Sequence, residues 1–154
     1  MQLSPSPLSI VAHEFREIQV KAAEEDQPKG TLGLKFNRKW GASDNDPLNW
    51  ILELTVEFGG DQGEAKAPYA GLMRIEGIFK IHKDYPEDKR DSLIKVTGAS
   101  ILYGACREML ANLTARSSHG IISLPSVSFI SAPSASEKTP AKKTKAKKAA
   151  RSRK

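Results

Sequence analysis

The sequence predicts an α+β fold, a four-stranded antiparallel sheet with one long, kinked helix across one of its faces. Three observations predict it. Four stretches alternate apolar and polar residues with period 2, the pattern of strands that pack one face and wet the other. One helical periodicity follows them, within residues 98–116. Clusters of Gly, Asp, Asn and Pro separate the strands, and these are the residues that turns select.

Residues 1–9 are rich in Ser and Pro and are expected to be disordered, so the folded domain is placed at 10–130. Residues 10–21 form a strand that changes phase. Val11, His13 and Phe15 share one parity and Ile18 and Val20 the other, which predicts a bulge near Arg16-Glu17. A polar linker, Glu24 to Gly30, ends it. In the second strand Leu32, Leu34, Phe36 and Trp40 share a face on which Arg38 is the one charged residue. The loop from Gly41 to Asn49 turns the chain. Trp50, Leu52, Leu54, Val56 and Phe58 then alternate without a break. Gly59-Gly60-Asp61-Gln62-Gly63 reads as a hairpin loop. The fourth strand places Tyr69, Gly71, Met73, Ile75, Gly77, Phe79 and Ile81 on one face.

Asp84 to Val96 is a charged helical lead-in expected to break at Gly98. In the helix that follows, Leu102, Cys106, Met109 and Leu113 share a face, broadened by Ile101 and Leu110. Ser100 is placed to cap its start and Gly120 to mark its stop. Residues 121–129 are apolar and extended, because Pro125 excludes a helix there. A helix and an extended segment of this character need a flat apolar surface, which the sheet supplies.

Charge divides the chain. The whole carries +6, but residues 131–154 hold nine Lys/Arg against Glu137 and so carry +8, which leaves −2 on residues 1–130. No large apolar residue follows Ile130. Such a segment cannot bury enough surface to offset its ordering entropy, and disorder is expected. Lys142, Lys143, Lys145, Lys147, Lys148, Arg151 and Arg153 are the candidate contacts to a polyanion such as nucleic acid. No aromatic residue lies among them, which argues against stacking on bases. Cys106 is the single cysteine, so no internal disulfide forms. With no basic leader and no apolar run near the ~20 residues of a membrane span, a cytoplasmic location is expected.

Signatures of chemistry are missing. His13, His82 and His119 fall in separate elements without ligand spacing to Cys106, so neither a metal nor another cofactor is expected. Phosphate-loop, nucleophile-elbow and zinc-protease motifs do not occur. Asp44-Asn45-Asp46 lacks the glycine and glutamate of a calcium loop and reads as a turn. No catalytic residue is assigned, and an enzyme is not expected.

The stretches Ile101-Leu102-Tyr103-Gly104-Ala105-Cys106-Arg107-Glu108, Leu113-Thr114-Ala115-Arg116 and Leu124-Pro125-Ser126-Val127-Ser128-Phe129 resemble the protein-export chaperone SecB family. Tyr69 to Phe79, with its Gly-Ile-Phe close, resembles that family's fourth strand, and Phe15, Ile18 and Val20 fit its first. The resemblance covers about residues 10–130. It implies a homodimer or homotetramer, apolar grooves for unfolded polypeptide clients, and an export motor as partner. Three features depart from the family. Tyr103-Gly104 stands where an aromatic-proline pair is usual, no second C-terminal helix follows Phe129, and the tail is basic where the family is acidic.

On this reading Trp40, Tyr103, Ile121, Ile122, Leu124, Val127 and Phe129 are the candidate client-binding residues. Phe15, Ile18, Val20, Ile101, Leu102, Met109, Leu110 and Leu113 are the candidate chain–chain interface. Two variants of function stay open. One is a chaperone dedicated to a single client, such as a toxin–antitoxin component; the other is a nucleic-acid-associated protein acting through its tail. Deleting residues 131–154 should leave the melting temperature unchanged and abolish any salt-sensitive binding to DNA or RNA, because the remaining body is mildly acidic. Retention of that binding in a filter assay would place the polyanion site in the body instead.

Overall fold

The computed structural model describes residues 4–62 and 65–130. The first strand, β1, is Leu8–Ala22; β2 is Gly33–Ala42, β3 is Asn49–Gly59 and β6 is Tyr69–Ile81. They form one antiparallel sheet in the order β1-β6-β3-β2. Two short strands, β4 (Asp61–Gln62) and β5 (Ala65–Lys66), pair beyond the β3–β6 turn, where Gly59 and Gly60 adopt φ of 99° and 96°. The expected hairpin loop thus holds a left-handed kink at Gly59-Gly60 and the short β4–β5 pairing. Glycine is required at the kink, since other residues rarely adopt that φ.

Alternation decides which face is packed. Leu52, Leu54 and Val56 of β3 and Tyr69, Met73, Ile75 and Phe79 of β6 are completely buried. Their neighbours on the other face, such as Glu53, Glu57, Arg74 and Glu76, form the wet face. The phase change in β1 is a bulge, as expected: the register with β6 shifts between Phe15 and Glu17. Arg16 is the extra residue, and it returns Phe15, Ile18 and Val20 to the inner face. A second shift lies between Ile10 and Ala12, so Val11 bulges outward and is 62% exposed. The strand also begins earlier than the expected boundary at residue 10. Leu8 pairs with Ile81 and is buried, and the Pro7 carbonyl accepts the His82 N–H at 2.8 Å. An apolar residue with a ladder partner was enough to order a Ser/Pro-rich flank.

The helix does not break at Gly98. Helix α1 (Glu87–Leu93) runs through a π-turn (Ile94–Gly98) into α2 (Ala99–Thr114), and Gly98 has helical φ −59° and ψ −47°. Gly98 sits tight against the sheet, where a Cβ would lie 3.2 Å from Leu52. Close packing, not helix ending, explains the glycine. Ser100 consequently caps nothing; its Oγ donates back to the Val96 carbonyl at 2.7 Å. Gly104 lies on the exposed side of α2, and the helix passes through it, so the irregular turn sits before Tyr103-Gly104 rather than at it. The helix stops at Thr114, ahead of Gly120. Gly120, at φ 74°, serves instead to turn the chain into residues 121–129.

Ala99, Leu102, Cys106, Leu110 and Thr114 form the stripe of α2 buried against the sheet. Each large side chain so buried contributes on the order of 2 kcal/mol. Burial alone pushes the Cys106 thiol up to about 12, so it is a packing residue and not a nucleophile. Substituting Gly71 should be costly, since a Cβ there would lie 1.9 Å from the Gln19 carbonyl oxygen across the β1–β6 ladder. Gly71→Ala is expected to destabilise by about 3 kcal/mol, read as a lower urea midpoint. An unchanged midpoint would contradict this close approach of β1 to β6.

Candidate functional site

Residues 121–129 lie as an extended strap over the inner face beside α2. They form no strand, and no backbone–backbone hydrogen bond holds them among the described residues. Side chains hold them instead. Tyr103 Oη donates to the Pro125 carbonyl at 2.6 Å, and Arg107 Nε donates to the Leu124 carbonyl at 2.9 Å. The Ile122 N–H donates to Thr114 Oγ1 at 3.0 Å, and that hydroxyl donates to the Leu110 carbonyl at 2.7 Å. At the entry, Tyr69 Oη donates to the Gly120 carbonyl at 2.8 Å and accepts the His119 N–H at 3.1 Å. His119 Nε2 lies 2.8 Å from the Ala23 carbonyl, which ties the turn to the end of β1.

Apolar side chains complete the seating. Leu124 and Phe129 are buried, and Ile122 and Val127 pack partly against the core. Phe129 meets Phe36 of β2 and Tyr103 of α2 edge-to-face, at centroid distances of 5.5 and 5.8 Å, and Phe36 meets Tyr103 at 5.5 Å. Three elements thus share one aromatic contact, of the geometry aromatic pairs prefer. Burial pushes the Tyr103 phenol pKa up.

Arg38, the charged residue among apolar neighbours in β2, is explained here. Its guanidinium donates to the Lys95 carbonyl in the π-turn at 2.7 Å and lies over the Phe129 ring at 5.4 Å. A π-turn leaves a carbonyl without its usual helical partner, and Arg38 satisfies it. Nearby, Trp40 donates its indole N–H to Asp91 at 2.7 Å and stacks beneath Lys95, which pairs with Asp91 at 2.6 Å. The Lys95 and Trp40 hydrogen bonds hold the Asp91 carboxyl below its usual pKa.

The candidate client residues therefore divide. Tyr103, Ile122, Leu124, Val127 and Phe129 come together as strap and bed, Trp40 stands at the far end of β2, and Ile121 points to solvent at 67% exposure. Phe36, Arg38, Arg107 and Thr114 belong to the same site and were not singled out from the sequence. The unbroken alternation around Arg38 was the one signal that marked it. The candidate interface residues divide too. Ile18, Ile101 and Leu113 are exposed, and Phe15, Val20 and Met109 are partly buried. Leu102 and Leu110 are fully buried within the chain's own core, which corrects their assignment to an interface. They sit on the stripe that meets the sheet, one helical position away from Ile101 and Met109. Lys142 to Arg153 lie outside the described residues. No group of metal-ligating side chains occurs among the described residues, and no described helix is long and apolar enough to cross a membrane.

This architecture is similar to that of the SecB-like chaperone Rv1957 of Mycobacterium tuberculosis, solved in complex with a ChAD peptide from the antitoxin HigA1 (Rv1956). The TM-score is 0.61 at 18% identity, over 79% of this chain and 91% of that one. A Streptococcus agalactiae protein of unknown function aligns at a TM-score of 0.44 and 10% identity, over 77% of this chain and 96% of the other. The sequence matches no protein-family model and no curated protein. The SecB-like fold expected from the sequence is the fold observed.

The Thr114 hydroxyl gives a direct test of how the strap is held. Thr114→Val keeps the shape but leaves the part-buried Ile122 N–H without its acceptor, which should cost about 1 kcal/mol. Urea unfolding reads the loss, and hydrogen exchange should place it at Ile122. Unaltered protection at that amide would refute the contact.

Proposed function

We propose that this chain is a polypeptide-binding chaperone of the SecB type, a holdase that keeps extended client segments on the inner face between α2 and β2. One observation carries the reading. Apolar side chains stay open along the free edge of β2, where Phe36 and Trp40 are each 39% exposed. An edge strand offers unpaired backbone groups to an extended chain, and the alternating apolar side chains offer it sites of burial. The likeness to a chaperone solved with a bound peptide supports the same reading. That peptide comes from an antitoxin, so a single dedicated client stands as the alternative to a broad clientele.

The export motor finds less support. Opposite charges pair across the wet face of the sheet: Arg16 with Glu14 and Glu76 at 2.7 and 2.9 Å, Arg74 with Glu17 at 3.6 Å and Lys39 with Glu53 at 3.6 Å. This face is therefore mixed in charge and not acidic. Binding of nucleic acid through the tail is a separate activity that the client site does not need.

Self-association belongs to the same reading. Ile101, Ala105, Met109 and Leu113 follow at intervals of four along α2, beside the buried stripe. Leu113 lines one cleft with Ile18 and Val20 of β1, which is itself a sheet edge. An unpaired edge next to an exposed apolar stripe suits pairing about a two-fold axis. We therefore expect a dimer or a dimer of dimers, and a monomeric mass in light scattering at micromolar concentration would reject it. Holdase activity is tested with a denatured model protein. The chain should suppress its aggregation with or without ATP, and Phe36→Ser/Trp40→Ser should weaken this several-fold while circular dichroism stays unchanged. No suppression by the unaltered protein at several-fold molar excess would reject the function.

A further inference from the structure

The strap is bound to the rest of the chain in the way a foreign extended peptide would be bound. Its inward residues, Ile122, Leu124, Val127 and Phe129, follow at spacings of two, three and two, with Pro125 at the step of three. Between them Ser123, Pro125, Ser126 and Ser128 are exposed. From Ile122 onward its backbone is read by side chains of α2, at the Ile122 N–H and at the Leu124 and Pro125 carbonyls, and no backbone ladder joins it to a strand among the described residues. Contacts to backbone groups are indifferent to sequence, so the apolar spacing supplies whatever selectivity the bed has.

We propose that residues 120–130 are a resident ligand of the polypeptide-binding groove, and that a client binds by displacing them from α2 and β2. This rests on the chaperone reading and sharpens it. The preferred client segments are extended ones that repeat the strap's own spacing of apolar residues, and Tyr103, Arg107 and Thr114 are the groups that hold their backbone. Exchange of one extended segment for another buries the aromatic contact of Phe36 and Tyr103 in both states, so the bed stays covered when no client is present. A tethered segment competes at an effective concentration of the order of millimolar, so it keeps weak ligands out and yields to strong or abundant ones.

The test uses the full chain and a fluorescein-labelled peptide of residues 120–130. Val127→Ser/Phe129→Ser loosens the strap and leaves the bed intact, so anisotropy should show the labelled peptide binding this variant about tenfold or more tighter than the unaltered chain. A variant that is folded by circular dichroism yet binds the peptide no better overturns the proposal. If the variant does not fold, the unaltered chain decides. Titrating it with unlabelled peptide should accelerate hydrogen exchange at the Ile122 amide as the strap is displaced, and exchange that stays constant overturns the proposal. The two readings fail separately. Peptide binding without any suppression of aggregation rejects the chaperone function and leaves the strap as a displaceable ligand. Suppression of aggregation with the Ile122 amide still protected in the client complex rejects displacement and leaves the chaperone.

Discussion

A four-stranded sheet is wider than a helix, and most of this structure follows from that mismatch. Neighbouring strands lie about 4.8 Å apart, so the inner face spans roughly 14 Å between its outer strands, whereas one helix with its side chains covers about 10–12 Å. Helix α2 packs on β3 and β6 and leaves the flanks of the face unfinished. On the β2 side the strap fills the gap with Leu124 and Phe129. On the β1 side nothing among the described residues does so, and Ile18, Ile101 and Leu113 stay exposed. The seam assigned to clients and the surface assigned to a second copy are the two edges of one incompletely covered sheet.

Polar groups decide where the covering elements sit, since apolar burial has no direction. Arg38 joins two of them to the sheet, reaching from β2 to the π-turn carbonyl and lying over Phe129 of the strap. Thr114 ends the helix and receives the strap through one hydroxyl. Tyr69 and His119 fasten the turn between them to the sheet and to the end of β1. Apart from the stacking of Arg38 on Phe129, each of these contacts is a side chain meeting a backbone group, which is the means by which a segment without secondary structure satisfies its buried polar atoms. The same contacts would serve an extended chain of another sequence.

Much of the fold was legible from local pattern. Period-2 alternation marked the four main strands and the packed face of each, and the change of parity between Phe15 and Ile18 marked the bulge. The 3.6-residue period marked α2, and Pro125 excluded helix from the segment after it. These are properties of a residue and its near neighbours. What misled the reading were residues with more than one reason to be present. Gly98 has the composition of a helix breaker, yet its lack of a side chain admits Leu52 at close range. Ser100 has the chemistry of a cap, but it lies in the middle of a continuous helix. Leu102 and Leu110 are apolar in the same way as Ile101 and Met109, and a helical wheel does not say which side of a wide stripe meets the sheet.

The candidate site was half legible. Its apolar members stood out because an extended apolar segment after an amphipathic helix needs a surface to lie on. Its polar members did not, because Arg38, Arg107 and Thr114 act on carbonyls and amides that lie in other elements, 57, 17 and 8 residues away. Sequence alone determined the alternation, the single helix, the bulge, the extended strap and the division of charge between body and tail. Only tertiary structure decided that the strap lies against Phe36 and Tyr103, that α2 leaves one flank bare, and that Arg38 compensates the π-turn. Periodicity is written locally along the chain, whereas the pairing of a side chain with a remote backbone atom exists only once the sheet has set the distance between them.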